Sequence, residues 1–373
     1  MMLILNAGSS SLKVSVYHKD SLDTPKLSVQ VDRLTTQPTV KVKGDDFPPL
    51  PPLGVGHAAV LSTLLPWFFD AWPIDAVGHR VVYGGVHFAD PVVVTDSVLE
   101  ILETLIPLAP LHQLHNLFPM RWIKEHLPQK QQVACFDTAF HRTQTPLATW
   151  FALPRRYHDQ GVQRYGFHGL SYHYISQQLP TITQASRVIV AHLGNGASLC
   201  ALKDGKSYDT TMGFSALDGL MMGTRSGSVD AGVILHLLHE KTPDEFQDML
   251  YKESGLLGVS GISHDMRTLL ESPHPHAQQA VDLYVYHILR EMGALTAALG
   301  GVQAIVFTAG IGENAPVIRQ RVCEGLAFFG VALDEKANAV NDVRLHHASS
   351  TLEVFCLPTN EERIIAKATA AMV

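Results

Sequence analysis

A chain of 373 residues with 46% hydrophobic and 17% charged residues has the balance of a folded globular protein, which excludes a disordered one. At roughly 150 residues per domain, the length predicts about two domains, each able to bury a core without covalent staples. A formal net charge of −7 speaks against a nucleic-acid partner. The four cysteines have no CxxC spacing and read as reduced core residues of a cytoplasmic protein, not as a zinc site.

The first predicted element is a hairpin. Two β-rich runs within residues 3–17 flank a turn of Gly8 and three serines, Ser9, Ser10 and Ser11, and Lys13 lies just past it. Such a turn lets backbone N–H groups approach an anion, and the hydroxyls and the lysine add donors and charge. An ordinary small-residue hairpin has the same look in isolation. A Pro-rich loop, Phe47–Pro52, precedes helical periodicity from Ala58 to Phe69. Residues Ile74–Gly85 read as a strand running into a Gly-rich loop that holds Arg80. Residues Asp96–Leu105 read as a helix with Asp96 as its N-cap. A short strand, Gln132–Phe136, ends at Asp137, where open α/β sheets place ligand-facing groups. The domain boundary is expected near Thr143.

The second half repeats the scheme. Residues 188–202 place the dipeptide Asn195-Gly196 between two apolar strands, and Asp204-Gly205 makes the next turn. One phosphate-type hairpin in each half suggests a duplicated architecture with a nucleotide's phosphates held between the halves. A Gly-rich segment, Met212–Gly232, carries Arg225. The uncharged stretch Met292–Gly312 is long enough to raise the membrane question. A helix ending at Gly300-Gly301 and a buried strand Ala304–Phe307 explain it better, so no membrane partner is expected. A helix Pro316–Phe328, a strand Leu352–Phe355, a loop Thr359–Glu362 and an alanine-rich helix complete the chain.

Several chemical motifs fail. Gly205-Lys206-Ser207 imitates the end of a Walker A loop, but Cys200 stands where its first glycine belongs. His112 with His115, and His274 with His276, lack further ligands at metal spacing. Gly310–Ala315 matches GxGxxA, with Asp334 about twenty residues on, as a dinucleotide fingerprint asks. Its late position leaves little room for a dinucleotide domain and suits the adenosine of ATP better. Arg80 and Arg225 each stand among glycines, with room for a guanidinium fork to reach carboxylate or phosphoryl oxygens. Asp137 and Glu361 have the hard oxygens that Mg²⁺ prefers.

Taken together, LNAGSSSLK at 5–13, GHRVVYGG at 78–85, LAPLH at 108–112, FDTAFH at 136–141, YGFHGLSY at 165–172, HLGNGAS at 192–198, GLMMGTRSG at 219–227, GISHDMR at 261–267, FTAGIGEN at 307–314 and TNEE at 359–362 resemble the acetate kinase family. That family belongs to the acetate and sugar kinase/Hsp70/actin superfamily. The resemblance implies an α/β protein of two similar actin-like domains, a duplicated ribonuclease H-like fold with a nucleotide cleft between them. Its domains would be 1–141, completed by the helix 363–373, and 142–362. It implies reversible phosphoryl transfer from ATP to acetate, giving acetyl phosphate and ADP, with Mg²⁺ (Mn²⁺ substituting), in a cytoplasmic homodimer.

Carried onto matching positions, the resemblance makes Arg80, Asp137, His168 and Arg225 catalytic. Ser9, Ser11 and Lys13 belong to the first phosphate turn, and Asn6 and Glu361 place the metal. His192, Leu193, Gly194, Asn195 and Gly196 form the second phosphate turn. Asp265, Met266, Arg267 and Gly310, Ile311, Gly312, Glu313, Asn314 contact adenosine. Val82, Leu111 and Phe167 line the acyl pocket, beside Ala216. Three departures stand out: Ala216 replaces a proline that lies against the acyl methyl group, Gln113 interrupts an LHNP loop, and Ser228 stands where an aspartate is common. They leave open a propionate or other short-chain acyl kinase. A non-catalytic nucleotide sensor would keep the hairpins but lose Arg80, Asp137, Arg225 and Glu361, all present here. A nicotinamide oxidoreductase rests on residues 310–315 alone.

Overall fold

Strand β1 (Met2–Ala7) is buried at every position, as befits a central strand covered on both faces. It pairs antiparallel with β2 (Ser11–Tyr17), placing Asn6 opposite Lys13. The computed structural model describes the chain apart from Ser9, Ser10, Thr35, Asp45, Asp46 and residues 107–109; for residues 110–112 it describes the backbone alone. Strands β3 (Leu27–Asp32) and β4 (Thr39–Gly44) continue the meander. Then β5 (Ala76–Val81) and β7 (Gln131–Phe136) lie parallel to β1, and the short β6 (Val92–Val93) closes the sheet in the order β4-β3-β2-β1-β5-β7-β6.

The chain forms two units, Met1–Phe140 with Asn360–Val373, and His141–Thr359. In the second, β8 (Arg187–Leu193), β9 (Ala197–Lys203) and β10 (Lys206–Thr210) form an antiparallel meander. Strands β11 (Ala304–Thr308) and β12 (Glu353–Cys356) add in parallel, in the order β10-β9-β8-β11-β12. The same path runs through β3-β2-β1-β5-β7 of the first sheet with the same strand senses. The duplication expected from the two hairpins is therefore present in the topology.

Helices cover the sheets. In the first unit, the helix His57–Ala71 lays Val60, Leu61, Leu64 and Phe68 on the β1–β3 core. The C-terminal helix Glu361–Met372 crosses β1, β5 and β7 with Ile364, Ile365 and Thr369 buried. Gly78 in β5 permits that approach, because a Cβ there would stand 2.3 Å from Thr369 Oγ1. In the second unit the long helix Pro275–Leu299 packs on β8, β9 and β10 and stops at left-handed Gly300. This helix and β11 account for the uncharged stretch, and no helix among the described residues is long and apolar enough to cross a membrane.

Six local expectations need correction. Arg80 lies within β5, not in the Gly-rich loop after it, and Gln113 lies in the helix Pro110–His126, not in a loop. Thr95, not Asp96, caps the helix Asp96–Thr104: its hydroxyl accepts from the Val98 N–H, and Asp96 occupies the first turn. Glu361 and Glu362 are not in a loop but open the terminal helix, capped by Asn360. Residues Ala309–Asn314 are a short helix, not an open glycine turn. The helix from Pro316 ends at Gly325, and Ala327–Phe329 is a separate 3-10 turn.

Candidate active site

In the first unit, parallel pairing sets Leu5 against His79 and Arg80 against Cys135. Asn6, Arg80 and Asp137 consequently emerge at the same carboxyl edge of the sheet. Arg80 makes a fork on Asp137: Nη2 to Oδ2 at 2.6 Å, and Nε to Oδ2 at 3.0 Å and to Oδ1 at 3.2 Å. Its Nη1 donates to Asn6 Oδ1 at 3.1 Å. The Asn6 amide donates to Glu361 Oε2 at 2.9 Å and Glu362 Oε1 at 2.8 Å. Lys13 Nζ lies 3.8 Å from Glu362, and Arg80 Nε 3.9 Å from Glu361. Burial works against the Arg80 charge, but Asp137, Glu361 and Glu362 outweigh it and hold the guanidinium above its ordinary range. The helix N-terminus beneath Glu361 and Glu362 favours their negative charge.

The turn between β1 and β2, the first candidate phosphate turn, is braced from two helices. His57 Nε2 donates to the Gly8 carbonyl at 2.8 Å, while its ring stacks on His115 at 3.8 Å. Asn116 donates to the Ala7 carbonyl and accepts from the Val82 N–H, both at 3.0 Å. It thereby ties the hairpin to the loop after β5. The departing Gln113 is buried and donates to the Tyr83 and Leu102 carbonyls, so it stiffens the same loop. Val82 is buried, Ser11 half-buried, and Gly8 N–H closes the turn on the Ser11 carbonyl. Ser9 and the Leu111 side chain lie outside the described residues.

In the second unit, the Gly194 N–H closes the β8–β9 turn on the Gly196 carbonyl at 3.0 Å. Asn195 carbonyl accepts the Gly223 N–H, which brings the Arg225 loop onto this turn. Gly196 makes room for both cationic candidates: a Cβ there would stand 2.7 Å from Arg225 Nη2 and 3.2 Å from His168 Nε2. Arg225 Nη1 donates to the Ala216 carbonyl at 2.5 Å. His168, left-handed at φ 57°, caps the helix Gly169–Ile182, and its ring stacks on His192 at 4.1 Å. Behind it, fully buried His141 donates from Nε2 to the Phe167 carbonyl at 2.9 Å; burial pushes its pKa down to about 4. Ser228 donates to Asp218 Oδ1 at 2.6 Å and accepts from the Gly219 N–H, so this departure braces the segment that holds Ala216.

The adenosine candidates form two groups. β11 runs beside β8 and sets Ala309 next to the β8–β9 turn: a Cβ on Gly194 would lie 3.7 Å from that of Ala309. Ala309 is left-handed at φ 67°, a strained state for alanine, and Glu313 Oε1 accepts both its N–H and that of Thr359. Buried Arg319 fixes the far end of this short helix through the Gly312 and Glu313 carbonyls. In the other group, Asp265 caps the helix Met266–Glu271. Arg267 is exposed there and Met266 buried, which leaves Met266 only its backbone to offer a ligand.

Among the described residues no group of three metal-ligating side chains forms a ready cage. Asp137, Glu361 and Glu362 still fit Mg²⁺, which needs only one or two carboxylates and leaves its other positions to water and phosphate oxygens. Asn6 sits between Arg80 and the glutamates, in position to hold Glu361. Sequence reading missed His57, Asn116, His141, Tyr172 and Ser198 as supports. His141, Tyr172 and Ser198 fall inside the quoted motifs, whereas nothing local marks His57 or Asn116.

Residues 1–367 match the Acetokinase family. The acetate kinase of Rhodopseudomonas palustris (strain TIE-1) is 48% identical over 385 aligned residues, covering 98% of this chain and 97% of that protein. The solved structure of a propionate kinase from Francisella tularensis subsp. tularensis SCHU S4 superposes with a TM-score of 0.89 at 32% identity, covering 100% of this chain and 99% of that one. An acetate kinase structure from Porphyromonas gingivalis gives 0.84 at 35% identity, with 100% and 99% coverage.

Proposed function

Since the chain belongs to the acetokinase family, we propose that it transfers the γ-phosphoryl group of ATP to a short-chain carboxylate, acetate first, forming acetyl phosphate and ADP reversibly. The observation that most supports this reading is the convergence of Asn6, Arg80, Asp137 and Glu361, with Asn6 and Glu361 bonded across 355 positions of sequence.

Acetate is ionised at neutral pH and needs no general base to act as nucleophile. The protein's task is to align two anions and neutralise their charge. Arg80, preset by Asp137, orients the acyl carboxylate, and the resemblance assigns the alkyl end to Val82, Leu111, Phe167 and Ala216. Arg225 and His168 donate to the equatorial oxygens of the phosphoryl in transit. The two hairpin turns, with Lys13, Ser11, His192 and Asn195, hold the flanking phosphates. Asp265–Arg267 and Gly310–Asn314 take the adenosine. Asp137 and Glu361 would hold Mg²⁺, which when bound offsets phosphate charge. The same resemblance supports a homodimer in the cytoplasm.

Acyl phosphate trapped with hydroxylamine, with acetate, propionate and butyrate compared by kcat/KM, tests the reading. Activity dependent on ATP and Mg²⁺ is expected; a chain that makes none from any of the three acids is not an acyl kinase. Arg225→Ala should lower kcat roughly 10³-fold. A change confined to KM would remove its transition-state role.

The resemblance favours a longer acid in one respect: Ala216 offers less bulk than the proline it implies at that position. Ala216→Pro should then lower propionate activity relative to acetate by about tenfold or more, the worth of one methylene in a fitted pocket. An unchanged ratio would place Ala216 away from the acyl group.

A further inference from the structure

Two stacked imidazoles face the second phosphate turn, and each meets a serine through Nδ1: His168 meets Ser198 Oγ and His192 meets Ser171 Oγ, both at 2.8 Å. Only the first serine has a second neighbour of decisive chemistry. Tyr172 is fully buried, and its phenol oxygen lies 2.5 Å from Ser198 Oγ. A buried phenol must place its proton on an acceptor; the His192 backbone also bonds the phenol oxygen, but as a donor, so Ser198 Oγ is the partner left to accept. The serine hydroxyl, having accepted from Tyr172, has its own proton left to place, and His168 Nδ1 is its other neighbour. A serine donating to Nδ1 requires that nitrogen to be bare.

We propose that Tyr172 and Ser198 are positioning residues that lock His168 as the neutral tautomer with its proton on Nε2. The direction runs one way, from Tyr172 Oη–H to Ser198 Oγ–H to His168 Nδ1. The lock leaves Nε2 as an N–H donor beside Gly196, where Arg225 Nη2 also arrives. Protonating Nδ1 as well would set two donors, His168 and Tyr172, against one serine oxygen and leave the serine proton without an acceptor. The groups around the chain are His192, stacked on the His168 ring, Arg225 beside Nε2, and His141 and Cys200 near the phenol. Burial raises the Tyr172 phenol well above its ordinary range, which keeps its proton in place. The left-handed backbone at His168 supports the same reading, since a strained residue is kept where its aim matters. The link from this lock to catalysis rests on the acyl kinase reading; the lock itself does not.

Selective ¹⁵N-histidine labelling reads the tautomer directly, with His168 assigned by its loss in His168→Gln. The expected wild-type spectrum at neutral pH shows Nε2 protonated and Nδ1 bare, with no second tautomer. Ser198→Ala should mix the tautomers and lower kcat about tenfold, the worth of one well-aimed hydrogen bond, while the KM for ATP moves less than about twofold. Tyr172→Phe keeps the ring and frees the serine, and should shift the tautomer ratio in the same direction. A wild-type His168 carrying its proton on Nδ1, or charged at neutral pH, overturns the proposal. So does a Ser198→Ala protein whose His168 still shows Nε2–H alone. An absence of acyl phosphate formation by the wild type would sink the kinase reading and leave the spectrum as the judge of the lock.

Discussion

At the residue scale the site turns on one buried charge pair. Asp137 is fully buried and holds Arg80 by two of its three guanidinium nitrogens, so neither side chain is free to swing with the substrate. Removing one partner of such a pair usually costs about 3–5 kcal/mol, because the other charge stays buried without compensation. Here Glu361 and Glu362 remain near Arg80, and Asparagine at 137 would keep the shape of the site. Asp137→Asn should therefore lower unfolding stability by only about 1–3 kcal/mol in urea titrations. Its kcat for acyl phosphate should fall by about 10²-fold or more, because Arg80 loses its preset aim. Full turnover in that variant would take Asp137 out of the mechanism. Asp137 was legible in the sequence because a carboxylate at the end of a buried strand is a local pattern. The His57 clasp on Gly8 was not, since it joins positions 49 apart through one carbonyl.

At the element scale the terminal helix does two jobs. It covers the first sheet with Ile364, Ile365 and Thr369, and its first turn carries the two glutamates to Asn6. Both jobs depend on how the helix begins, and Asn360 sets that point by accepting the Arg363 N–H at 3.0 Å. Asn360→Ala should cost about 1 kcal/mol of stability, the usual worth of an N-cap. It should also raise the Mg²⁺ concentration needed for half-maximal activity, as the glutamates lose their register with Asn6. Asn360→Asp restores a capping oxygen and should recover both. A variant that loses stability but keeps its Mg²⁺ dependence would separate the cap from the site. The sequence suggested a loop here because Thr-Asn-Glu-Glu is as polar as a turn. The capping asparagine followed by acidic residues was the overlooked helix signal. Thr95 and Asp96 repeat the lesson: of two good capping types side by side, the hydroxyl residue stayed outside and the acid entered the first turn.

At the scale of the whole molecule, duplication was legible because each half carries an antiparallel hairpin with a small-residue turn, a contact between neighbours in sequence. The parallel strands β5, β7, β11 and β12 were legible singly, but their order was not, since no local pattern encodes a partner strand so far along the chain. The histidines raise a question of the same scale. Burial pushes His79 down to about 3 and His141 to about 4, against an ordinary value of 6.5. Burial also lowers His57, and it takes half-buried His115 to about 4, helped by neighbouring His57. In each case the folded chain binds fewer protons than the unfolded chain between the shifted pKa and 6.5. Their stabilisation is thus complete above pH 6.5 and is lost as the pH falls towards 4 and 3. His79, His57 and His115 belong to the first unit and His141 to the second, so acid should weaken the first unit more. Each fully buried histidine adds a slope of up to about 1.4 kcal/mol per pH unit in that window. Urea midpoints taken from pH 7.5 to 5 should stay level down to about pH 6.5 and then fall steadily, and hydrogen exchange below pH 6.5 should show β1, β5 and β7 opening before β8 and β11. His79→Gln should flatten the fall, since a neutral amide has no proton to gain on unfolding. Midpoints that stay level across this range would mean that these imidazoles are solvated in the folded protein, and that the polar clasps behind the two hairpin turns are looser than their distances suggest.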